Sequence, residues 1–372
     1  LIILLYIKMS EPSLKKQKTT TTTTTSSSST STVEKIAVLG AGSYGTAVAF
    51  VLAKYKRAEQ VVLYCRNEKQ AESITNEHKN PKRFTGCILP DNIVGSSNVE
   101  EAVKNASLIV LAIPTQHLPS FVKKNLSYFK DNVPLVSTAK GIHVKSHKLI
   151  SNALEEVLGD RVKNIPLAYL SGPSFAKEMV NGHPMALIIA SHTMEIARKC
   201  QEIMSCLHFR LYISLDVTGV ECGGALKNPA AIGSGIAQGL GYGQSTVAGI
   251  VTRSCKEMRE LAVALGGKPE TLVGLSGFGD LMLTCFSSQS RNNRLGGMIA
   301  KGMTVEEAFV EIGEVVEGVP TANEIVRLAD IHKLRMPLFR AVAAILAGKI
   351  KPEDGLMMIN QRQPGLERFL SS

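Results

Sequence analysis

The chain has 372 residues, enough for two domains of ordinary size that each bury a core. With 44% hydrophobic and 20% charged residues it reads as globular, and no apolar run reaches the ~18 to 20 residues of a membrane helix, so no membrane partner is expected. The net charge of +10 suits phosphorylated small molecules at least as well as nucleic acid, and no nucleic-acid partner is expected, because the basic residues are dispersed and only 5% of the chain is aromatic.

Residues 1–33 are expected to be a disordered tail: an apolar opening, LIILLYIK, precedes Met9, and 19–32 are Ser and Thr only. The first eight residues read as sequence upstream of a natural start at Met9. The apolar piece is a poor signal peptide, being short and without a basic leader. A cytoplasmic tail is the preferred reading, and an organelle transit peptide stays open. Seven cysteines without a C-x-x-C pair point to a reducing compartment and buried thiols.

From 34 to 216 strand and helix patterns alternate, which predicts an α/β dinucleotide-binding domain with a mainly parallel, Rossmann-type sheet. Candidate strands are 36–39, 60–65, 107–113, 133–137, 167–170, 185–190 and 209–213. The first, KIAVL, runs into GAGSYG, where Gly40, Gly42 and Gly45 match G-x-G-x-x-G. In that pattern the glycines serve a tight turn, close approach to a pyrophosphate and helix–sheet packing. The helix that follows would aim its positive end at the pyrophosphate. Further polar turns, CRN (65–67), PTQH (114–117), TAKG (138–141) and SGPS (171–174), fall at the ends of later strands and predict a lined cleft.

The end of the second strand bears on the cofactor. An acid there usually accepts from the ribose 2′-hydroxyl of NAD, but this chain has Arg66 and Asn67, so NADP stays open beside NAD.

Residues 217–350 predict a mainly helical substrate domain, with helices at 217–239, 245–265, 304–309, 322–330 and 338–347; 351–372 read as a tail. In the first of these helices Gly223, Lys227, Ala230 and Ser234 share a face. A lysine among small residues loses water, and desolvation lowers its pKa toward the range in which it shuttles protons; a snorkelling surface lysine is the plainer alternative. Pro229 is expected to kink or restart the helix. Beyond it, 277–294 (GFGDLMLTCFSSQSRNNR) reads as a charge-rich loop offering Asp280, Thr284, Ser290, Arg291 and Asn292 to a phosphorylated ligand. His143 and His147 have a metal-compatible spacing but no acid beside them, and no metal is expected.

The motifs GAGSYGTA (40–47), TAKGI (138–142), SGPSFAKE (171–178), GGALKN (223–228), GFGDLMLTC (277–285), SQSRNNR (288–294) and EVVEG (314–318) together resemble the NAD(P)-dependent glycerol-3-phosphate dehydrogenases, bacterial-type branch. The resemblance spans about residues 34–347 and implies reversible reduction of dihydroxyacetone phosphate to sn-glycerol 3-phosphate by a homodimer. It implies Lys227 as general acid/base at the substrate, Lys140 against both substrate and cofactor, and Asp280 as the residue positioning the lysine and the substrate hydroxyls. Gly172, Ser174, Asn228, Thr284, Ser290, Arg291 and Asn292 match substrate positions. Ser43, Tyr44, Arg66, Pro114, Ala176, Arg291, Val315 and Glu317 match dinucleotide positions. Pro229 departs from the family's usual aliphatic residue after ALKN, and FLSS at the end is no peroxisomal S-K-L address. Two other readings stay open: a related two-domain dehydrogenase of β-hydroxyacid type, and a non-catalytic dinucleotide-binding redox sensor.

Overall fold

The computed structural model describes residues 32–360; most of the N-terminal tail and the last residues lie outside it. Eight strands form one sheet in the order β10-β9-β8-β5-β4-β1-β2-β3. They are β1 (Val33–Leu39), β2 (Ala58–Tyr64), β3 (Ile93–Ser96), β4 (Leu108–Leu111), β5 (Leu135–Ser137), β8 (Leu167–Ser171), β9 (Met185–Ala190) and β10 (Phe209–Ser214). A separate hairpin pairs β6 (Ile142–His143) with β7 (Lys148–Leu149). All seven candidate strands are present, and the sheet is mainly parallel as expected. Two features differ from expectation. β3 is an added edge strand, hidden in the sequence because Gly95 and Ser96 interrupt a four-residue run. β9 pairs antiparallel with β8, so β9 and β10 run against the rest, a direction that apolar runs do not encode.

Strands β1, β2, β4, β5 and β8 run parallel, so their carboxyl ends share one rim and carry the polar turns read from sequence. The chain leaves β1 toward β2 on one side and later places β4 on the other. This makes the β1/β4 boundary the switch point at which such sheets bind ligands. Gly40 turns there at φ 120°, and an added Cβ would lie 2.4 Å from the Ala112 carbonyl oxygen at the end of β4. Helix α1 (Ser43–Lys54) begins directly after the turn, and α2 (Glu68–Asn76) follows β2.

The helical half is built around α3 (Val217–Gly239), buried along most of its length. Pro229 lies inside this helix and does not end it, which corrects the expectation of a restart. Around it pack α4 (Gln244–Ala264), α5 (Asp280–Phe286), α6 (Arg291–Ala300), α7 (Gly318–Ile331) and α8 (Pro337–Leu346). Gly223 lets α3 approach segment 275–286 backbone to backbone, since a Cβ there would meet the Ser276 carbonyl oxygen at 2.4 Å.

The loop expected over 277–294 is largely helical. A π-helical turn, Leu275–Gly279, leads straight into α5, and Ser290 caps α6 by accepting from the Asn293 N–H at 3.2 Å. Its glycines and serines resembled loop punctuation because the partners that order them sit on α3. Residues 352–360, read as part of a tail, also form a helix, Pro352–Asn360. All seven cysteines are free thiols, five of them buried.

Candidate active site

Asp280 opens α5 directly after the π-turn, a distortion that often marks functional positions because it re-aims the side chains beside it. Its carboxylate is 1% exposed and held by two lysines: Lys227 Nζ donates to Oδ1 at 2.5 Å and Lys140 Nζ to Oδ2 at 2.7 Å. Lys227 comes from the middle of α3, and Lys140 from the TAKG turn after β5, so the carboxylate joins the helical half to the sheet rim. Lys227 also donates to Thr284 Oγ1 at 2.8 Å, while that hydroxyl donates to the Asp280 carbonyl one turn earlier at 2.6 Å. Lys140 donates to the Gly172 carbonyl at 3.0 Å.

Burial shifts Lys227 most. Desolvation pulls its pKa down, Asp280 opposes this and the charge on Lys140 reinforces it, leaving the amine at about 8. Burial also pulls Lys140 down, but Asp280 and Tyr44 outweigh it and hold Lys140 above the ordinary lysine range. Burial would raise Asp280; the two lysines overcome it and keep the carboxyl below its usual range. Lys140 therefore keeps its charge near neutrality, while Lys227 can release and regain a proton. Two lysines on one carboxylate leave a positive charge in excess, which favours an anionic ligand.

The rim meets the glycine-rich turn through Tyr44, whose hydroxyl lies 3.1 Å from Ser174 Oγ and whose ring lies 6.0 Å from Lys140 Nζ. The turn fits a pyrophosphate on its own geometry. Gly42 has open space where a Cβ would stand, α1 starts without a side-chain cap, and Gly45 could carry no Cβ because one would strike the Gly40 carbonyl oxygen at 1.9 Å. Pro114 and Thr115 follow β4 beside it. Glu317 accepts from the Thr115 N–H at 2.9 Å, and its other oxygen and the Thr115 hydroxyl are both buried without partners. Ala176 opens the helix Ala176–Val180, which packs on α1. Arg66 is exposed at the end of β2, and Asn67 caps α2 by accepting from the Gln70 N–H at 2.9 Å.

The other expected residues divide between two places. Arg291 lies on the dinucleotide side, donating to the Val315 carbonyl at 2.7 Å and to Glu314 at 3.3 Å, with Ser43 on the same carboxylate at 3.3 Å. Asn228 and Asn292 are buried and bonded to each other at 3.1 Å, and Ser290 serves as the cap of α6. Sequence reasoning passed over Glu314, Thr115 and Arg83, whose guanidinium lies 3.7 Å from Glu314. Glu314 stands inside the quoted EVVEG run, so its partner Ser43 was the missing information. His147 finds a carboxylate in Glu324 at 2.9 Å, an acid far away in sequence. Among the described residues no group of three or more His, Cys, Asp or Glu side chains could hold a metal ion, and no helix is long and apolar enough to cross a membrane.

A glycine-rich turn shaped for a pyrophosphate at the switch point of a mainly parallel sheet, beside a buried polar cluster at the junction with a helical half, is an architecture of nicotinamide-dependent dehydrogenases, and the fold assigns the chain to that class. Comparison with known proteins narrows it. The family described as NAD-dependent glycerol-3-phosphate dehydrogenase matches through its N-terminal part at residues 35–197 and through its C-terminal part at 216–357. A glycerol-3-phosphate dehydrogenase [NAD(P)+] of Stenotrophomonas maltophilia is 39% identical over 90% of this chain and 96% of its own. One from a Thermoanaerobacter species is 40% identical over 88% of this chain and 97% of its own. The crystal structure of the glycerol-3-phosphate dehydrogenase from Coxiella burnetii superposes with a TM-score of 0.83 at 31% identity, covering 89% of this chain and 99% of the other. The chain belongs to this family of NAD(P)-dependent enzymes.

Proposed function

We propose that the chain catalyses the reversible reduction of dihydroxyacetone phosphate to sn-glycerol 3-phosphate, as a cytoplasmic homodimer that supplies glycerophospholipid synthesis and cytosolic redox balance. The observation that carries the reading is the buried Lys227–Asp280–Lys140 cluster, positively charged overall and set between the glycine-rich turn and the helical half. A nicotinamide dinucleotide, when bound, would supply the hydride for reduction and accept it in oxidation. Residues Gly40 to Gly45, Arg66, Pro114, Ala176, Val315 and Glu317 would hold it, and Arg66 supports acceptance of NADPH as well as NADH.

Lys227 donates its proton to the carbonyl oxygen as that oxygen becomes a hydroxyl, and takes it back during oxidation. An amine with a pKa of about 8 exchanges protons in both directions near neutral pH. Thr284 and Asp280 fix the amine's direction, while Lys140 keeps its charge and polarises the carbonyl. Gly172, Ser174 and Arg291 are the further groups proposed for substrate, with Arg291 serving the phosphate.

Oxidation of NADH and of NADPH, each with and without dihydroxyacetone phosphate, tests the reading. Substrate-dependent oxidation supports it, and absence of turnover with both cofactors from folded protein refutes it. In the same assay Arg66→Ala is expected to raise the KM for NADPH about tenfold and to change that for NADH by less than ~2-fold, because only NADPH carries the 2′-phosphate. Equal effects on both cofactors would remove Arg66 from the 2′ site.

A further inference from the structure

Three hydrogen bonds, two buried and the last part-buried, connect the segment after Glu314 to the backbone that carries Lys140. The Gly318 N–H donates to Asn292 Oδ1 at 3.0 Å, Asn292 Nδ2 to Asn228 Oδ1 at 3.1 Å, and Asn228 Nδ2 to the Lys140 carbonyl at 2.9 Å. Every donor points the same way, so each amide is fixed in orientation by both neighbours. The packing leaves no slack at the starting end: a Cβ on Gly318 would stand 2.5 Å from Asn292 Oδ1 and 3.0 Å from the Asn228 carbonyl carbon. At that end loop 314–318 reaches the glycine-rich turn through Glu314 and Ser43, and the turn after β4 through Glu317 and Thr115. At the other end Lys140 grips Asp280, and Asn228 directly follows Lys227 in α3.

We propose that Asn292 and Asn228 are positioning residues whose one-directional amide relay ties the seating of loop 314–318 to the aim of Lys140. This role departs from the substrate contacts that resemblance implied for both residues, and it rests on the function proposed above. The relay makes dinucleotide affinity and the chemical step depend on the same buried amides. An aspartate is the sharp probe, because it keeps the volume but cannot donate. At 292 it still accepts from Gly318, yet it turns its second oxygen toward Asn228 Oδ1, and flipping the Asn228 amide would set that oxygen against the Lys140 carbonyl.

The test uses the full chain and its Asn292→Asp, Asn228→Asp, double and Gly318→Ala variants. NADH affinity is read by fluorescence titration without substrate, and kcat and KM with dihydroxyacetone phosphate. Asn292→Asp is expected to weaken NADH binding about tenfold and to lower kcat about tenfold, with less than ~3-fold change in substrate KM. The double variant should be within ~3-fold of the worse single one, since a broken relay cannot be broken again. Gly318→Ala, which keeps both amides but displaces Asn292, should show the same split at smaller size, and it carries the test if the aspartate variants fail to fold. A tenfold rise in substrate KM with NADH affinity intact, or single effects that multiply in the double variant, would overturn the proposal. If the parent protein does not reduce dihydroxyacetone phosphate the proposed function fails, while the NADH titrations still judge the relay.

Discussion

Replacing Lys227 with alanine is expected to lower kcat for dihydroxyacetone phosphate reduction by about 10²- to 10⁴-fold, the usual contribution of a positioned general acid. NADH affinity should hold within ~3-fold, because the Lys227 amine directs its hydrogen bonds to Asp280 and Thr284 and not to the glycine-rich turn. The loss should exceed that of Lys227→Arg in charge-dependent steps only. Arginine keeps the positive charge but not a proton it can give up, so Lys227→Arg should recover substrate KM without recovering kcat. Steady-state kinetics of the two variants, with NADH titration as a control, checks this. Unchanged turnover in Lys227→Ala would remove the proton-transfer role altogether.

Asp280→Asn is expected to do more damage to the fold than to any single contact. The carboxylate is the shared counter-charge of two lysines, and its loss leaves buried Lys227 beside the part-buried Lys140 with no anion between them. Removing one partner of a buried ion pair costs about 3–5 kcal/mol, and the expected deficit here is of that order. The sign with pH follows from linkage. With Asp280 neutralised, desolvation and mutual repulsion hold both amines below their unfolded pKa, so the unfolded chain binds more protons between the two values. The deficit is therefore full only below those lowered amine values, which for Lys227 start from about 8 even with Asp280 in place, and it shrinks as pH rises through them toward the ordinary lysine range. Chemical denaturation at several pH values tests this, and a deficit that grew with pH would contradict it.

How far the sequence carried these conclusions depended on whether the partners of a residue were local. The β1 strand, its glycine turn and the rim of polar turns were legible, because a strand, a sharp turn and a helix are written in consecutive residues. Lys227 was legible too: small residues at helical spacing announced a face that would exclude water, and the structure buries that face against segment 275–286. The helices at Asp280 and Arg291 were not. Gly277, Gly279 and the serines around 287–290 are breakers in isolation, and only α3 packed against them makes helix the better state. Glu314, Glu317 and Asn292 gained meaning from Ser43, Thr115 and Asn228, residues far away along the chain. Strand direction at β9 was likewise a property of the assembled sheet and not of its apolar run.

The most direct measurement is the pH dependence of kcat/KM in both directions of the reaction, from about pH 6 to 10, with the parent protein. If Lys227 carries the proton, ketone reduction should fall with a single ionisation near its pKa of about 8, while alcohol oxidation rises through the same value. Profiles that are flat over this range, or that persist unchanged in Lys227→Ala, would contradict the account.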